Sequence, residues 1–375
     1  MTRALLALLL IVGQVPVAEA ARTRAVRHPS PFVPPAAVVT AARHAAEAAL
    51  AAGVPAVQIA VSERGRIIYS EAFGVTDKQS ATAATPRSVL QVGSLTKQFT
   101  AAAILRLAER GALSLDDRIE KFVPEFNPRG ETITLRQLLS HTSGLRRSWY
   151  LPGPPWPDLT APVTREQVVQ ALNSGQLLDF PPGTQWSYSN AAYLLLGYAI
   201  ESITGMSYAD FIHTELALPL GLMQTGVCGT SNLPLPEGHG LVSGKWIRLP
   251  SLHPSVPWSA GSLCSTASDL ARWSHLLATG YAMLPASYAT MTTPARFKDN
   301  SVVLNGYALG VVAANVLGQP AVYHDGAIDG FESYLLYFPQ QDTAIAVITN
   351  AFPAPIAGNP YFVAMAIAKA ALSSQ

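Results

Sequence analysis

The sequence predicts a mixed α/β protein in which an α/β lobe, built from both ends of the chain, carries an inserted lobe that is mostly helical. Two observations support this fold class. Short apolar runs typical of strands occur at residues 57–75 and again at 307–349. Between them most apolar patterns have a helical period. We therefore assign residues 36–115 and 262–375 to the α/β lobe, and residues 116–261 to the helical lobe.

The first 20 residues are typical of a secretory signal peptide. Arg3 supplies a basic start, residues 4–12 form an apolar run, and Ala18 and Ala20 flank Glu19 as a small-residue cleavage site. The apolar run is too short to cross a bilayer stably. No cysteine lies near the cleavage site, which argues against a lipid anchor there. We expect an exported protein, periplasmic or secreted, without a stable membrane anchor.

A flexible leader is expected at residues 21–35, which are rich in arginine and proline. A hairpin follows the first helix, because two strand-like runs at 57–61 and 66–69 meet at Arg64-Gly65, and residues 73–75 extend the second run. The apolar helical run that begins at Gln91 reaches Leu107. The other helices expected in this half of the chain lie at residues 36–52, 134–140 and 164–172.

The second half of the chain contains helices first and strands later. Helical patterns cover residues 191–203, 208–218, 266–277 and 359–372, and strand patterns cover 307–313, 321–324, 334–338 and 344–349. A proline-rich loop at 146–163 carries Trp149 and Trp156. Such a loop is either a binding rim or a packed structural loop. This loop and residues 226–257, expected as loops and short strands, are the segments on which substrate choice depends.

Composition narrows the function classes. The chain has 375 residues, 49% of them hydrophobic and 13% charged, with a net charge of +1. No basic stripe or acidic tail occurs, which argues against nucleic acid as a partner and against electrostatic membrane binding. No Cys-x-x-Cys, His-Glu-x-x-His or Gly-x-Ser-x-Gly pattern is present, so zinc, dithiol and α/β-hydrolase chemistry have no motif here.

The chain has two cysteines, Cys228 and Cys264. In an oxidising compartment an even number of cysteines favours a disulfide, and we expect these two to pair. The alternative is a pair of buried thiols, which are common in protein cores.

The strongest candidate for chemistry is Ser94 with Lys97, at the start of the helical run. Residues three apart lie on one helical face, close enough for a hydrogen bond. A serine hydroxyl is a weak nucleophile until a base removes its proton, and a lysine held neutral by burial can act as that base. The alternative is a serine N-cap followed by a solvated lysine.

Two later motifs strengthen the catalytic interpretation. Tyr188 and Asn190 lie at a turn before a helix, where a phenol can shuttle a proton and an amide can orient substrate or hold the lysine. His324 ends a strand two residues before Gly326, where a glycine allows a substrate backbone to approach closely. The N–H groups of Ala327 and Ser94 then become candidate oxyanion donors. Taken alone, each motif also fits a structural role.

In the order Ser-x-x-Lys, Tyr-x-Asn and His-x-Gly, these motifs resemble those of the serine β-lactamase and penicillin-binding protein superfamily. The resemblance is closest to its class C branch, which includes esterases and D-amino-acid-specific peptidases. It extends over residues 55–350 through further landmarks at 92–97, 138–145, 182–190, 219–222 and 260–270. It implies an antiparallel sheet flanked by terminal helices, a helical lobe beside it, and a site between the two.

The resemblance also implies the role of each residue. Ser94 forms an acyl-enzyme, Lys97 and Tyr188 share the acid and base work, and Asn190 positions substrate. Which of Lys97 and Tyr188 is the proximate base stays open. The resemblance implies no metal and no cofactor. The expected partners are small-molecule or peptide substrates, cell-wall fragments among them.

The third motif departs from the β-lactamase pattern Lys-Thr-Gly, since His324 replaces the lysine. A lysine there is a cation for a substrate carboxylate, whereas histidine is largely neutral at pH 7. This favours a serine hydrolase of small esters or D-amino-acid amides and peptides over a true class C-type β-lactamase. A third alternative, of another class, is a non-catalytic cell-wall-binding homologue, which the three intact motifs disfavour.

Overall fold

The computed structural model describes residues 34–150, 157–230, 233–304 and 306–373. The predicted signal peptide and nearly all of the predicted leader lie outside these residues. No described helix is both long and apolar enough to span a membrane.

The helices and strands of the described residues follow one another in this order: α1 Ala36–Ala51, β1 Ala56–Glu63, β2 Arg66–Asp77, β3 Thr82–Ala83, β4 Leu90–Gln91, α2 Thr96–Glu109, α3 Leu135–Leu139, α4 Arg165–Asn173, α5 Asn190–Thr204, α6 Tyr208–Phe211, β5 Gly226–Val227, β6 His239–Val242, β7 Lys245–Arg248, α7 Trp258–Gly261, β8 Leu263–Ser265, α8 Ala267–Ala278, α9 Pro285–Thr292, β9 Val312–Val316, β10 Gln319–Ile328, β11 Phe331–Phe338, β12 Thr343–Thr349 and α10 Pro360–Ser373.

A seven-stranded sheet joins the two ends of the chain. Its strand order is β3-β2-β1-β12-β11-β10-β9, and every neighbouring pair is antiparallel. The pairing of β1 with β12 places Ile59 opposite Val347 and connects the amino-terminal strands to the carboxyl-terminal ones. The predicted mixed α/β fold with an antiparallel sheet is confirmed. The lobe boundaries near residues 115 and 262 stay a prediction.

The sheet separates two hydrophobic clusters, because successive side chains of a strand point to opposite faces. In β12, Ile345 and Val347 join the cluster that includes the terminal helices α1 and α10. Ala346 and Ile348 join the larger cluster, which continues into α2, α5 and α8. Both faces of β12 are therefore covered, and every one of its residues is buried.

Helix α2 lies inside the protein and is enclosed by other elements. Its residues are buried without interruption from Thr96 to Leu105, and it contacts α5, α7 and α9. A helix buried on all sides has to satisfy any polar side chain internally, which matters for Lys97. Helix α5 begins after a Ser189 N-cap and ends at a left-handed Gly205.

Several elements differ from the sequence prediction. The strand expected at 307–313 begins only at Val312, because Gly306 and Gly310 adopt positive φ angles and interrupt the extended backbone before it. Helix α9, which begins with Pro285 at its first turn, was not predicted. The helix expected at 208–218 is present but changes to a π-helical winding at Ile212–Ala217.

A disulfide joins Cys228 and Cys264, with their Cα atoms 5.2 Å apart. Cys264 lies in β8, and the Cys228 N–H donates to the carbonyl of Ser262 just before that strand. The bond therefore ties the segment after β5 to the strand that lies beside β4, next to the Ser94 turn.

Candidate active site

Ser94 lies on a tight turn that leads into α2. Gly93 has a φ of +51°, and residues Gly93–Leu95 form a 3₁₀ turn before the α-helix begins at Thr96. A Cβ at Gly93 would come within 2.9 Å of the Ala327 nitrogen. The glycine therefore brings the Ser94 turn against strand β10. The α-helix begins at Thr96, two residues after Ser94, whereas the sequence pattern placed Ser94 on the helix itself.

Lys97 is fully buried and directed at Ser94. Its Nζ lies 3.0 Å from Ser94 Oγ, 2.8 Å from Asn190 Oδ1 and 2.7 Å from the carbonyl oxygen of Ala260. The side chain has no solvent exposure. The structure thus brings together Ser94, Lys97 and Asn190, which the sequence analysis proposed to act as a unit.

The partners of Lys97 fit a neutral amine. Two of them are carbonyl oxygens, which only accept hydrogen bonds, so they take the two N–H bonds of an uncharged amine. A neutral amine has one lone pair left for the third contact, which is with Ser94 Oγ. Burial holds the pKa of Lys97 well below its ordinary value, and the charge of Arg147 lowers it further while Asp325 opposes the shift.

Tyr188 stands beside this pair at the start of α5. The centre of its ring lies 4.7 Å from Lys97 Nζ, and its hydroxyl hydrogen-bonds with Ser94. Burial raises the pKa of Tyr188 above its ordinary value, so the phenol keeps its proton near neutral pH. This environment favours Tyr188 as a proton donor over Tyr188 as a tyrosinate base. Lys97 is then the candidate proton acceptor.

Strand β10 supplies the opposite wall of the site. Its pairing with β9 ends at Tyr323, so from His324 onward no strand of the described residues pairs with it on that side. A Cβ at Gly326 would lie 2.0 Å from the carbonyl oxygen of Val92 and 2.3 Å from Ser333 Oγ. Only glycine allows this approach, which brings Ala327 next to the Ser94 turn. Ser94 and Ala327 line one cavity, as a shared oxyanion site requires.

His324 is buried and contacts protein groups, whereas its sequence motif suggests a residue that faces the substrate. It is 2% exposed. Its Nε2 lies 3.1 Å from the Tyr307 hydroxyl, and its Nδ1 lies 2.5 Å from the carbonyl oxygen of Asp325. Since both ring nitrogens contact protein groups, neither is left for a substrate. Burial lowers the pKa of His324, with Lys97 adding to the shift and Asp325 opposing it.

The cavity beside Ser94 has a volume of about 190 Å³. The 146–163 loop and the 226–257 segment, which the sequence analysis linked to substrate choice, both contribute to its wall. Its apolar lining residues are Trp149, Tyr150, Leu159, Leu194, Leu252, Val256 and Pro257. A second cavity of about 520 Å³ lies near α3 and the residues after α9, and no motif residue lines it.

Sequence reasoning missed four residues around the site. Arg147, exposed beside the cavity, has its guanidinium carbon 5.6 Å from the centre of the Tyr188 ring. Asp329 lines the cavity next to Ala327. His141 and Tyr307 continue the contacts of His324 into the protein. Only His141 gave a signal in the sequence, through the landmark at 138–145.

A comparison with known protein families matches residues 41–367 to the model described as Beta-lactamase. The chain belongs to the beta-lactamase family. Protein flp of Staphylococcus aureus is 28% identical to it over 79% of this chain. The chain spans 60% of the length of that relative.

Two solved structures extend the comparison. The octameric penicillin-binding protein homologue from Pyrococcus abyssi is 27% identical, with a TM-score of 0.78 over 90% of this chain and 78% of its own. The D-stereospecific amidohydrolase from a Streptomyces species is 28% identical, with a TM-score of 0.70 over 83% of this chain and 94% of its own. The family and these neighbours agree with the predicted class C-like branch.

Proposed function

We propose that the protein hydrolyses small esters or D-amino-acid amides through an acyl-enzyme on Ser94. The observation that carries this proposal is the fully buried Lys97, whose two carbonyl partners leave its lone pair facing Ser94 Oγ. A neutral amine in that position is a general base for the serine. The similarity to a D-stereospecific amidohydrolase supports the amide branch of the proposal.

The proposed reaction begins when Lys97 takes the Ser94 proton and Oγ attacks the substrate carbonyl carbon. The negative charge that develops on the carbonyl oxygen is held by the N–H groups of Ser94 and Ala327. Tyr188 gives its proton to the leaving alkoxide or amine, and Lys97 restores that proton. Water then attacks the carbonyl carbon of the acyl-enzyme while Lys97 takes one of its protons. When the bond to Ser94 Oγ breaks, Lys97 returns that proton to Oγ, and the acid product leaves.

The charges around the cavity support the choice of substrate class. The third motif contributes no exposed cation, because His324 is buried and both its nitrogens are engaged. At the cavity mouth Asp329 is exposed, and none of the described residues pairs with its carboxylate; partial burial raises its pKa. A free carboxylate there favours a substrate with an amino group, as a D-amino-acid amide has.

One observation favours a true β-lactamase as the second candidate. The exposed guanidinium of Arg147 stands beside Tyr188 and offers a substrate carboxylate the cation that His324 does not. A non-catalytic wall-binding protein is disfavoured, because Ser94 and Lys97 keep a geometry that binding alone does not require.

The test combines three substrates with two variants. Ser94→Ala is expected to lose turnover and covalent labelling by a fluorophosphonate together, on the order of 10⁴–10⁶-fold in rate. Asp329→Asn should lower kcat/KM for D-phenylalanine nitroanilide roughly tenfold but leave nitrophenyl butyrate unchanged. A chromogenic cephalosporin that is hydrolysed faster than both would favour the second candidate. Turnover that survives in Ser94→Ala would refute the acyl-enzyme.

Export is part of the proposal. The Cys228–Cys264 bond supports it, since disulfides persist mainly in oxidising compartments. Amino-terminal sequencing of the protein recovered from cell fractions tests it, and a mature chain that begins near residue 21 is expected. Recovery with Met1 intact from the cytoplasm would contradict the proposal.

A further inference from the structure

Helix α5 has a glycine in its buried middle. A glycine inside a helix lowers the stability of the helix relative to alanine, so helix propensity alone disfavours Gly197. A Cβ at Gly197 would lie 2.0 Å from Ser259 Oγ and 2.5 Å from Ser259 Cβ. Ser259 is fully buried, and its hydroxyl donates over 2.9 Å to the carbonyl oxygen of Tyr193, one turn earlier in α5. Helices α5 and α7 therefore cross in direct contact at Gly197, with no room for a side chain there.

Helix α7 also holds helix α2, which carries Lys97. The carbonyl oxygens of Ser259 and Ala260 accept hydrogen bonds from two side chains of α2. Thr100 Oγ1 donates to the Ser259 carbonyl over 2.7 Å, and Lys97 Nζ donates to the Ala260 carbonyl over 2.7 Å. Lys97 and Thr100 are three residues apart and share one face of α2. The side chain of Ser259 thus binds α5, while two successive carbonyls of α7 bind α2.

The face of α5 that meets α7 also carries a partner of Lys97. Asn190, Tyr193 and Gly197 have the spacing i, i+3 and i+7, which places them on one face of the helix. Lys97 Nζ lies 2.8 Å from Asn190 Oδ1 and 2.7 Å from the Ala260 carbonyl oxygen. One acceptor therefore comes from α5 and the other from α7. If the two helices moved apart by about 1 Å, one of these contacts would exceed the range of an N–H···O hydrogen bond.

We propose that Gly197 and Ser259 are positioning residues, whose contact sets the separation of the two carbonyl acceptors of Lys97 and thereby directs its amine at Ser94. The alternative is ordinary core packing, in which the crossing contributes to stability but does not determine the position of the amine. The inference rests on the proposed function, in which Lys97 is the base. Its first test nevertheless does not depend on catalysis.

Three variants test the contact between α5 and α7. Gly197→Ala adds a methyl group, and Ser259 must then move by roughly 1 Å, because ordinary contacts of a Cβ begin at 3.4 Å. The double variant Gly197→Ala/Ser259→Gly removes the two atoms nearest that methyl and should restore the crossing. The matched control is Ala199→Gly. Ala199 is fully buried and lies about 200° around α5 from Gly197, so the change weakens the helix without adding an atom to the crossing.

The first test is ¹³C NMR of protein labelled at lysine Cε, whose chemical shift reports on the adjacent amine. Of the six lysines, Lys97 is buried and the other five are exposed internal references. Lys97→Met assigns its signal. We expect that signal to move in Gly197→Ala, to return in the double variant and to stay in place in Ala199→Gly. An unchanged Lys97 signal in a folded Gly197→Ala protein would overturn the proposal, as would no return in the double variant or an equal shift in Ala199→Gly.

The second test measures kcat/KM for nitrophenyl butyrate. A misplacement of about 1 Å in a catalytic group can cost on the order of 100-fold in rate. Gly197→Ala should lose about that factor, mainly in kcat, because the base rather than the substrate is displaced. The double variant should regain most of the loss, and Ala199→Gly should stay near wild type even if its stability falls as far. A loss in Gly197→Ala that the double variant does not regain would refute the positioning role.

Ser259→Ala supplies the answer if Gly197→Ala does not fold. It removes the hydrogen bond to the Tyr193 carbonyl without adding an atom. It should move the Lys97 signal and lower kcat severalfold, and no change in either would refute the proposal. If the wild-type protein neither hydrolyses nitrophenyl butyrate nor takes a fluorophosphonate label, the proposed function fails, while the Lys97 signals still decide this inference.

Discussion

Replacement of Lys97 by methionine tests the centre of the proposed chemistry. Methionine keeps the length of the buried side chain but has no basic nitrogen. Burial raises the pKa of Tyr188, so the described residues offer Ser94 no second base at neutral pH. The loss should reach the upper end of what general bases contribute, about 10⁴-fold in kcat/KM. An exposed lysine on α10, changed as Lys369→Met, is the matched control and should retain full activity.

The stability of Lys97→Met separates lost chemistry from lost structure. The change leaves Asn190 Oδ1 and the Ala260 carbonyl without their donor, which costs about 1–3 kcal/mol for each acceptor in the free energy of unfolding. Loss of the buried amine offsets part of this cost, so a domain stable by about 5–15 kcal/mol is expected to stay folded.

Wild-type stability should also depend on this lysine. Its pKa is lower in the folded than in the unfolded chain, so the unfolded chain binds more protons between the two values and stability rises with pH there. Lys97→Met should lose that part of the pH dependence, as urea unfolding at several pH values would show.

The assay follows the hydrolysis of a nitrophenyl ester by stopped flow. The intact mass of the fluorophosphonate adduct is a second readout. The folded variant should show neither a burst nor an adduct. A folded Lys97→Met protein that keeps more than about a hundredth of wild-type kcat/KM would refute the assignment of Lys97 as the base.

Three further predictions follow from the same geometry. Reduction of the Cys228–Cys264 bond, which closes a separation of 36 residues, should lower the free energy of unfolding by roughly 3–4 kcal/mol. Thiol counting on the denatured, unreduced protein should find no free thiol, and two free thiols would show that the disulfide does not form. Gly326→Ala should abolish turnover, because its Cβ would lie 2.0 Å from the Val92 carbonyl oxygen. Gly318→Ala has no atom within 4 Å of its Cβ; its φ of +78° costs stability, but most activity should remain. Equal activities of the two variants would contradict the close approach. For the wild-type enzyme, kcat/KM for nitrophenyl butyrate should be about ten- to a hundredfold higher than for a cephalosporin, because His324 replaces the third-motif lysine that would bind the cephalosporin carboxylate. A preference for the cephalosporin would reverse the ordering of the two candidate functions.

Local interactions account for most of what the sequence predicted correctly. The helix that carries Lys97 follows from the apolar run after Ser94, and the start of α4 follows from the Thr164–Gln167 capping box. These patterns connect residues three or four apart, whose separation along a helix is set by backbone geometry. The interruption before β9 was missed, because an apolar run alone does not reveal which glycines take positive φ angles.

The sequence by itself therefore determined the class of fold, the order of the motifs and the pairing of Ser94 with Lys97. The tertiary structure alone decided which polar groups of the site are buried and which partners they meet. Lys97 meets the Ala260 carbonyl from 163 residues away, and His141 meets Tyr307 from 166 residues away. A periodic sequence pattern does not reveal such long-range contacts, yet they determine which polar groups are buried and which partners they have. For that reason His324, expected as a substrate ligand from its motif, lies with both nitrogens bound to protein groups.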